Sequence, residues 1–132
     1  MKTDEELLQA LQAATDGLLF MSESDYPFAT MTWPGPDAPT PEAVRSWENC
    51  PDEPCETDDF ARMFAAPTTE FPGVNDIGKE RVRRFRALVA VLQENLSDIC
   101  VIRTGGVQKN VYVLGRSTNQ TWLGLQTQVV ET

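Results

Sequence analysis

The chain of 132 residues carries a formal net charge of −9, 41% hydrophobic residues and no histidine. That apolar fraction suffices for one buried core and argues against wholesale disorder, while the missing imidazole excludes Ser-His-Asp and Cys-His catalysis and leaves carboxylate, lysine, tyrosine or thiol chemistry. The charge is lopsided: residues 1–60 hold 14 acids against Lys2 and Arg45, minus 12, and residues 61–132 hold 6 acids against 9 bases, plus 3, an imbalance that disfavours direct nucleic-acid binding and favours basic protein surfaces as partners.

Met1-Lys2-Thr3-Asp4-Glu5-Glu6 turns acidic at once, without the pattern of a signal peptide, and no run reaches membrane-spanning length. A cytoplasmic protein with no membrane association is therefore expected. Thr3 and Glu6 form a capping box for a helix with Leu7, Leu8, Leu11 and Ala14 on one stripe, and Gly17 ends it. Gly17-Leu18-Leu19-Phe20 reads as a buried run. It leads into Met21-Ser22-Glu23-Ser24-Asp25-Tyr26-Pro27-Phe28, a polar loop held by the apolar run before it and by Pro27, which biases Tyr26 away from helical dihedrals. Two carboxylates on a rigid loop form a candidate binding feature. The plainer alternative is a helix-to-strand connection whose charges only keep it solvated.

Residues 28–33 alternate, with Ala29, Met31 and Trp33 on one side and Phe28, Thr30 and Thr32 on the other, which predicts a strand. After a proline-rich turn, Thr40-Pro41-Glu42 supplies an N-cap, an N1 proline and an early acid for a short helix ending near Trp47. Residues 48–59 are acidic, proline-bearing and aperiodic, and are expected as loop, with one or two helical turns over 58–64 turning Phe60 and Phe64 inward. Cys50, Cys55 and Cys100 are odd in number and lack histidine companions, so three free thiols are expected rather than a disulfide framework or a zinc site.

Residues 65–73 read as loop, and Asn75 or Asp76 caps the longest helix, roughly 77–96, whose Val82, Phe85, Leu88, Val89, Leu92 and Leu96 face the core. Arg81, Arg83, Arg84 and Arg86 fan around its axis and read as solvated cations rather than one basic patch. Three strands, 99–103, 110–116 and 122–130, are joined by short connections and so are antiparallel neighbours. The expected fold is α+β, helices covering a largely antiparallel sheet in one domain spanning 1–132. The sequence closes on Val129-Val130-Glu131-Thr132 directly after a strand, which puts an α-carboxylate at a defined place beside Glu131.

Asp16-Gly17-Leu18-Leu19-Phe20 with the Met21–Phe28 stretch, Val111-Tyr112-Val113-Leu114-Gly115, and the closing Val129-Val130-Glu131-Thr132 resemble the nuclease A inhibitor family. The likeness keeps the same order and length over nearly the whole chain, takes in the helix over 85–96, and is weakest over 34–76. It implies a three-layer α-β-α sandwich similar to the pathogenesis-related-1 fold and a non-enzymatic, stoichiometric inhibitor of metal-dependent, sugar-non-specific endonucleases. It further implies that Glu23, in the Ser22-Glu23-Ser24 loop, points at the nuclease's catalytic metal. The Thr132 terminus enters the same cleft, with Asp25 and Glu131 nearby, and Phe71 is the nearest match to an aromatic contact before the long helix. No cofactor of its own is implied, and the free protein is expected as a monomer. A non-specific nuclease presents a basic groove and a divalent cation to a phosphate backbone, and Glu23, Asp25 and a C-terminal carboxylate supply the matching negative charge. Two other readings stand beside this one: a regulatory or adaptor protein of the same fold binding a different basic partner, and an enzyme using Glu23 and Asp25 as an acid/base pair.

Overall fold

The computed structural model describes residues 3–50 and 52–131. Helix α1 (Asp4–Thr15) starts at the anticipated capping box, with Thr3 N–H donating to Glu6 Oε1 and Glu6 N–H to Thr3 Oγ1, both at 3.1 Å. Strands β1 (Leu19–Met21) and β2 (Asp25–Pro27) pair as a short hairpin. Then come β3 (Ala29–Thr32), α2 (Pro41–Trp47), β4 (Cys55–Asp58), α3 (Phe60–Ala65), α4 (Asp76–Asn95), β5 (Ser97–Thr104), β6 (Gln108–Arg116) and β7 (Trp122–Val130). Five of the strands form one antiparallel sheet in the order β3-β7-β6-β5-β4. No helix among the described residues is long and apolar enough to cross a membrane.

Alternation along the central strands divides the core into two layers. Val111 and Val113 of β6, Leu123, Leu125 and Val129 of β7 and Val101 of β5 pack under α1, α3 and α4, against Leu7, Leu11, Phe64, Phe85, Leu88 and Leu92. Their neighbours Tyr112, Leu114, Trp122 and Ile102 face the other way and meet Val44 of α2 and Trp33. Helices thus cover both faces of the sheet, and the α+β reading holds. Each interior side chain of the period-2 pattern has a place, at about 1.5–3 kcal/mol apiece for full burial.

Four expectations need correction. The run 17–20 is not uniformly buried: Leu18 is, whereas Leu19 is 42% exposed, because a strand turns alternate residues outward. The stretch 21–28 is no loop: it runs from the last residue of β1 through the turn and β2, the second arm of a hairpin, to Phe28. Residues 55–58, expected as loop, form β4, with Cys55 to Asp58 in register with Thr104 to Val101. Weak local β-propensity yields there to the hydrogen-bonding edge offered by β5. The arginines are also more than solvated cations. Arg84 donates to the carbonyls of Ala14 at 3.0 Å and Asp16 at 2.6 Å, placing a cation at the end of α1, and Arg86 donates to Thr68 O at 2.9 Å.

The layer around α2 is tied by one carboxylate. Glu48, at the C-cap of α2, accepts through Oε2 from Thr104 Oγ1 and Asn110 Nδ2, both at 3.0 Å, and from the Tyr112 hydroxyl. Burial, the bond to Glu48 and the charges of Glu48 and Cys50 push the Tyr112 phenol well above its ordinary range. Because the folded state favours the protonated phenol, its contribution is intact below the unfolded value of about 10 and is lost as pH rises above it. The absorbance difference between wild type and Tyr112→Phe should therefore show Tyr112 ionising only together with alkaline unfolding. A Tyr112 phenolate forming near pH 10 while the near-UV dichroism stays native would contradict this assignment.

Candidate functional site

The β1–β2 turn and the end of β7 meet. Ser22 Oγ accepts from Val130 N–H at 3.0 Å and donates to Ser24 O at 2.8 Å, and Ser22 N–H reaches the same carbonyl at 3.3 Å. Glu23 N–H donates to Val130 O at 3.3 Å. One serine thus closes its own turn and fastens it to the last strand, so the turn carrying Glu23 is fixed at two points rather than hanging from the hairpin. Glu23, Ser24 and Asp25 are exposed and Ser22 is half-buried. From below, Phe20 holds the hairpin by edge-on contacts with Phe28, Phe64 and Phe85, ring centroids 5.9, 6.2 and 6.4 Å away.

The site residues taken from the sequence fall into three groups. Ser22, Glu23 and Ser24 sit in the turn against Val130, and Asp25 stands on the opposite arm, in register with Met21. Asp25 faces a cleft of about 240 Å³ that it shares with Leu19, Met21, Ile77, Arg81 and Arg84. Glu131 follows β7 directly, with its N–H donating to Val107 O at 2.9 Å. Its carboxylate is turned to Arg103 and to Lys109 Nζ, the latter at 3.7 Å. Phe71, between α3 and α4, is 61% exposed and borders a mostly apolar cavity of about 390 Å³ with Phe20, Met21, Met63, Val82 and Phe85. Met21 belongs to both cavities, so the acidic turn and Phe71 edge one continuous surface. Thr132 lies outside the described residues.

Sequence reasoning missed the apolar half of this surface. Beside Phe71, which the family likeness had singled out, Leu19, Met21 and Ile77 are all large and exposed, and Arg81 reaches over to Met21 Sδ at 3.1 Å. Period-2 alternation over Leu18, Leu19, Phe20 and Met21 was the available signal, since it puts Leu19 and Met21 outside whenever Leu18 and Phe20 are inside. No signal of residue type marked Val130, whose contribution is its backbone.

A charged turn beside exposed apolar side chains, held by main-chain bonds, is suited to meeting another protein, with the carboxylates at a desolvated centre. A family model described as nuclease A inhibitor-like protein matches residues 5–132. A search of curated proteins finds no match.

Removing the Ser22 hydroxyl should cost about 1–2 kcal/mol of stability, the worth of one or two such bonds, and should loosen the turn locally. In Ser22→Ala, hydrogen exchange at the Val130 amide should speed up selectively. Wild-type protection of that amide in the variant would mean that the bond does not hold the turn.

Proposed function

The chain belongs to the nuclease A inhibitor-like family, and from that membership we propose that it is a stoichiometric, non-enzymatic protein inhibitor of a metal-dependent, sugar-non-specific endonuclease. In this reading the protein is one inhibitor domain, with an α-β-α sandwich similar to the pathogenesis-related-1 fold, and it acts in the cytoplasm as a monomer until it meets its target. It blocks the nuclease active site with the Ser22-Glu23-Ser24 turn and with Thr132. Glu23 faces the nuclease's divalent metal where a substrate phosphate would lie, and it needs no metal or cofactor of its own.

One observation supports the reading above all. The Glu23 turn, through which the family likeness implicates the active site, is hydrogen-bonded to Val130, two positions before Thr132, the other residue that the likeness implicates. A turn fixed before binding saves the ordering cost that a flexible one pays on binding. Met21 and Phe71 beside it provide apolar surface that excludes water around a central charge, the setting in which a charge pair is strong. The excess of acids in residues 1–60 adds long-range attraction towards a basic groove.

Glu23→Ala should weaken inhibition by about 2 kcal/mol or more, roughly 30-fold, as central charged hot spots do. Titration of both proteins against a panel of non-specific endonucleases measures this, and equal inhibition by both would remove Glu23 from the mechanism. Raising the salt concentration should slow association much more than it speeds dissociation. Stopped-flow association rates that ignore ionic strength would exclude electrostatic steering.

A further inference from the structure

Four elements send a charged side chain to one point under the β1–β2 hairpin. Arg103 of β5 is only 11% exposed, and its Nη1 lies 3.2 Å from Oδ2 of Asp58 on β4, itself 12% exposed. Its Nη2 pairs with Oε1 of Glu131, just beyond β7, while Lys109 of β6 stands at the other Glu131 oxygen. Arg62 of α3 adds a contact to Asp58 Oδ1 at 3.5 Å. A cavity of about 180 Å³ lies between this cluster and the hairpin, bordered by Phe20, Met63, Val111 and Val129.

Stability alone does not explain the cluster. Desolvating a guanidinium and a carboxylate takes back much of what their pairing gains, and well-packed apolar side chains would close the same space. Arg103 Nε, moreover, is buried without a partner among the described residues. What apolar packing lacks is direction. A planar guanidinium fork holding two carboxylates fixes where each stands.

Here the carboxylate held is that of Glu131, and the residue before it is Val130, whose N–H and C=O are the two groups to which the Ser22-Glu23 turn is fastened. The end of a strand frays unless something holds it. We propose that Arg103 is a positioning residue of the inhibitory surface: it grips Glu131 between β4 and β7, thereby fixing Val130, and through Val130 it sets the place of Glu23. What that surface does rests on the function proposed above; the mechanical link from Arg103 to Glu23 does not. Glu131 thereby serves as the handle by which the strand end is held, its carboxylate paired with Arg103 and Lys109.

The test uses the full chain. Arg103→Met strands Asp58 and risks a loss of stability, so Glu131→Gln, at a half-exposed carboxylate, is measured beside it. In each variant the Val130 and Glu23 amides should exchange about tenfold faster or more, while the Phe85 and Leu88 amides of α4 stay as in wild type. Against an endonuclease that the wild type inhibits, each variant should raise the inhibition constant about tenfold, chiefly through dissociation, but less than about twofold when Glu23→Ala is already present. Unchanged exchange at Val130 and Glu23 in both variants overturns the proposal, and so do losses that multiply independently with Glu23→Ala. Should the wild type inhibit no nuclease in the panel, the proposed function falls, and amide exchange alone decides whether Arg103 positions the turn.

Discussion

The site depends on where one phenylalanine ring goes. A hairpin of two three-residue strands has no stability of its own in water, and β1 and β2 pair only with each other. Phe20 anchors them: its ring enters the cluster of Phe28, Phe64 and Phe85, joining β1 to the start of β3, to α3 and to the centre of α4. Because successive strand residues alternate, sending Phe20 inward sends Leu19 and Met21 outward. The apolar edge of the surface and the packing that supports it are therefore two faces of one decision. The bonds of Ser22 and Glu23 to Val130 then fix the remaining freedom, the swing of the turn about its anchor.

The two faces of the sheet are built differently. Under α1, α3 and α4 the layer is apolar apart from the ionic cluster at the hairpin end, and it carries everything that the site uses. On the α2 side a seven-residue helix cannot cover the sheet, and Glu48 makes up the difference by accepting from three side chains of β5 and β6. A carboxylate oxygen with three donors lets a short helix stay docked where apolar area is scarce.

Much of this was legible in the sequence wherever the signal was local. The capping box of Thr3 and Glu6, the Thr40-Pro41 start of α2, the Asn75 cap and stripe of α4 and the alternation in β6 and β7 each concern residues within a few positions of one another, and each element formed as read. What escaped was settled by distant partners. Strand β4 exists because β5 offers it an edge, and Arg84 is a cap for α1 from 68 residues away. The site was half legible for the same reason: residue type exposed Glu23 and Asp25, while the backbone of Val130, the exposure of Leu19 and the grip of Arg103 on Glu131 come from the tertiary structure. The likeness to a known family supplied the order of the segments without the bonds between them.

The bond between Ser22 and Val130 spans 108 residues. The cost of closing a loop rises only slowly with its length, yet it has to be met before a contact of such separation repays it. A fragment that stops short of Val130 holds Glu23 but not the bonds that fasten its turn. The proposed recognition surface is thus conditional on the docking of β7: a copy in which that strand is undocked carries Glu23 on a turn without its two bonds to Val130.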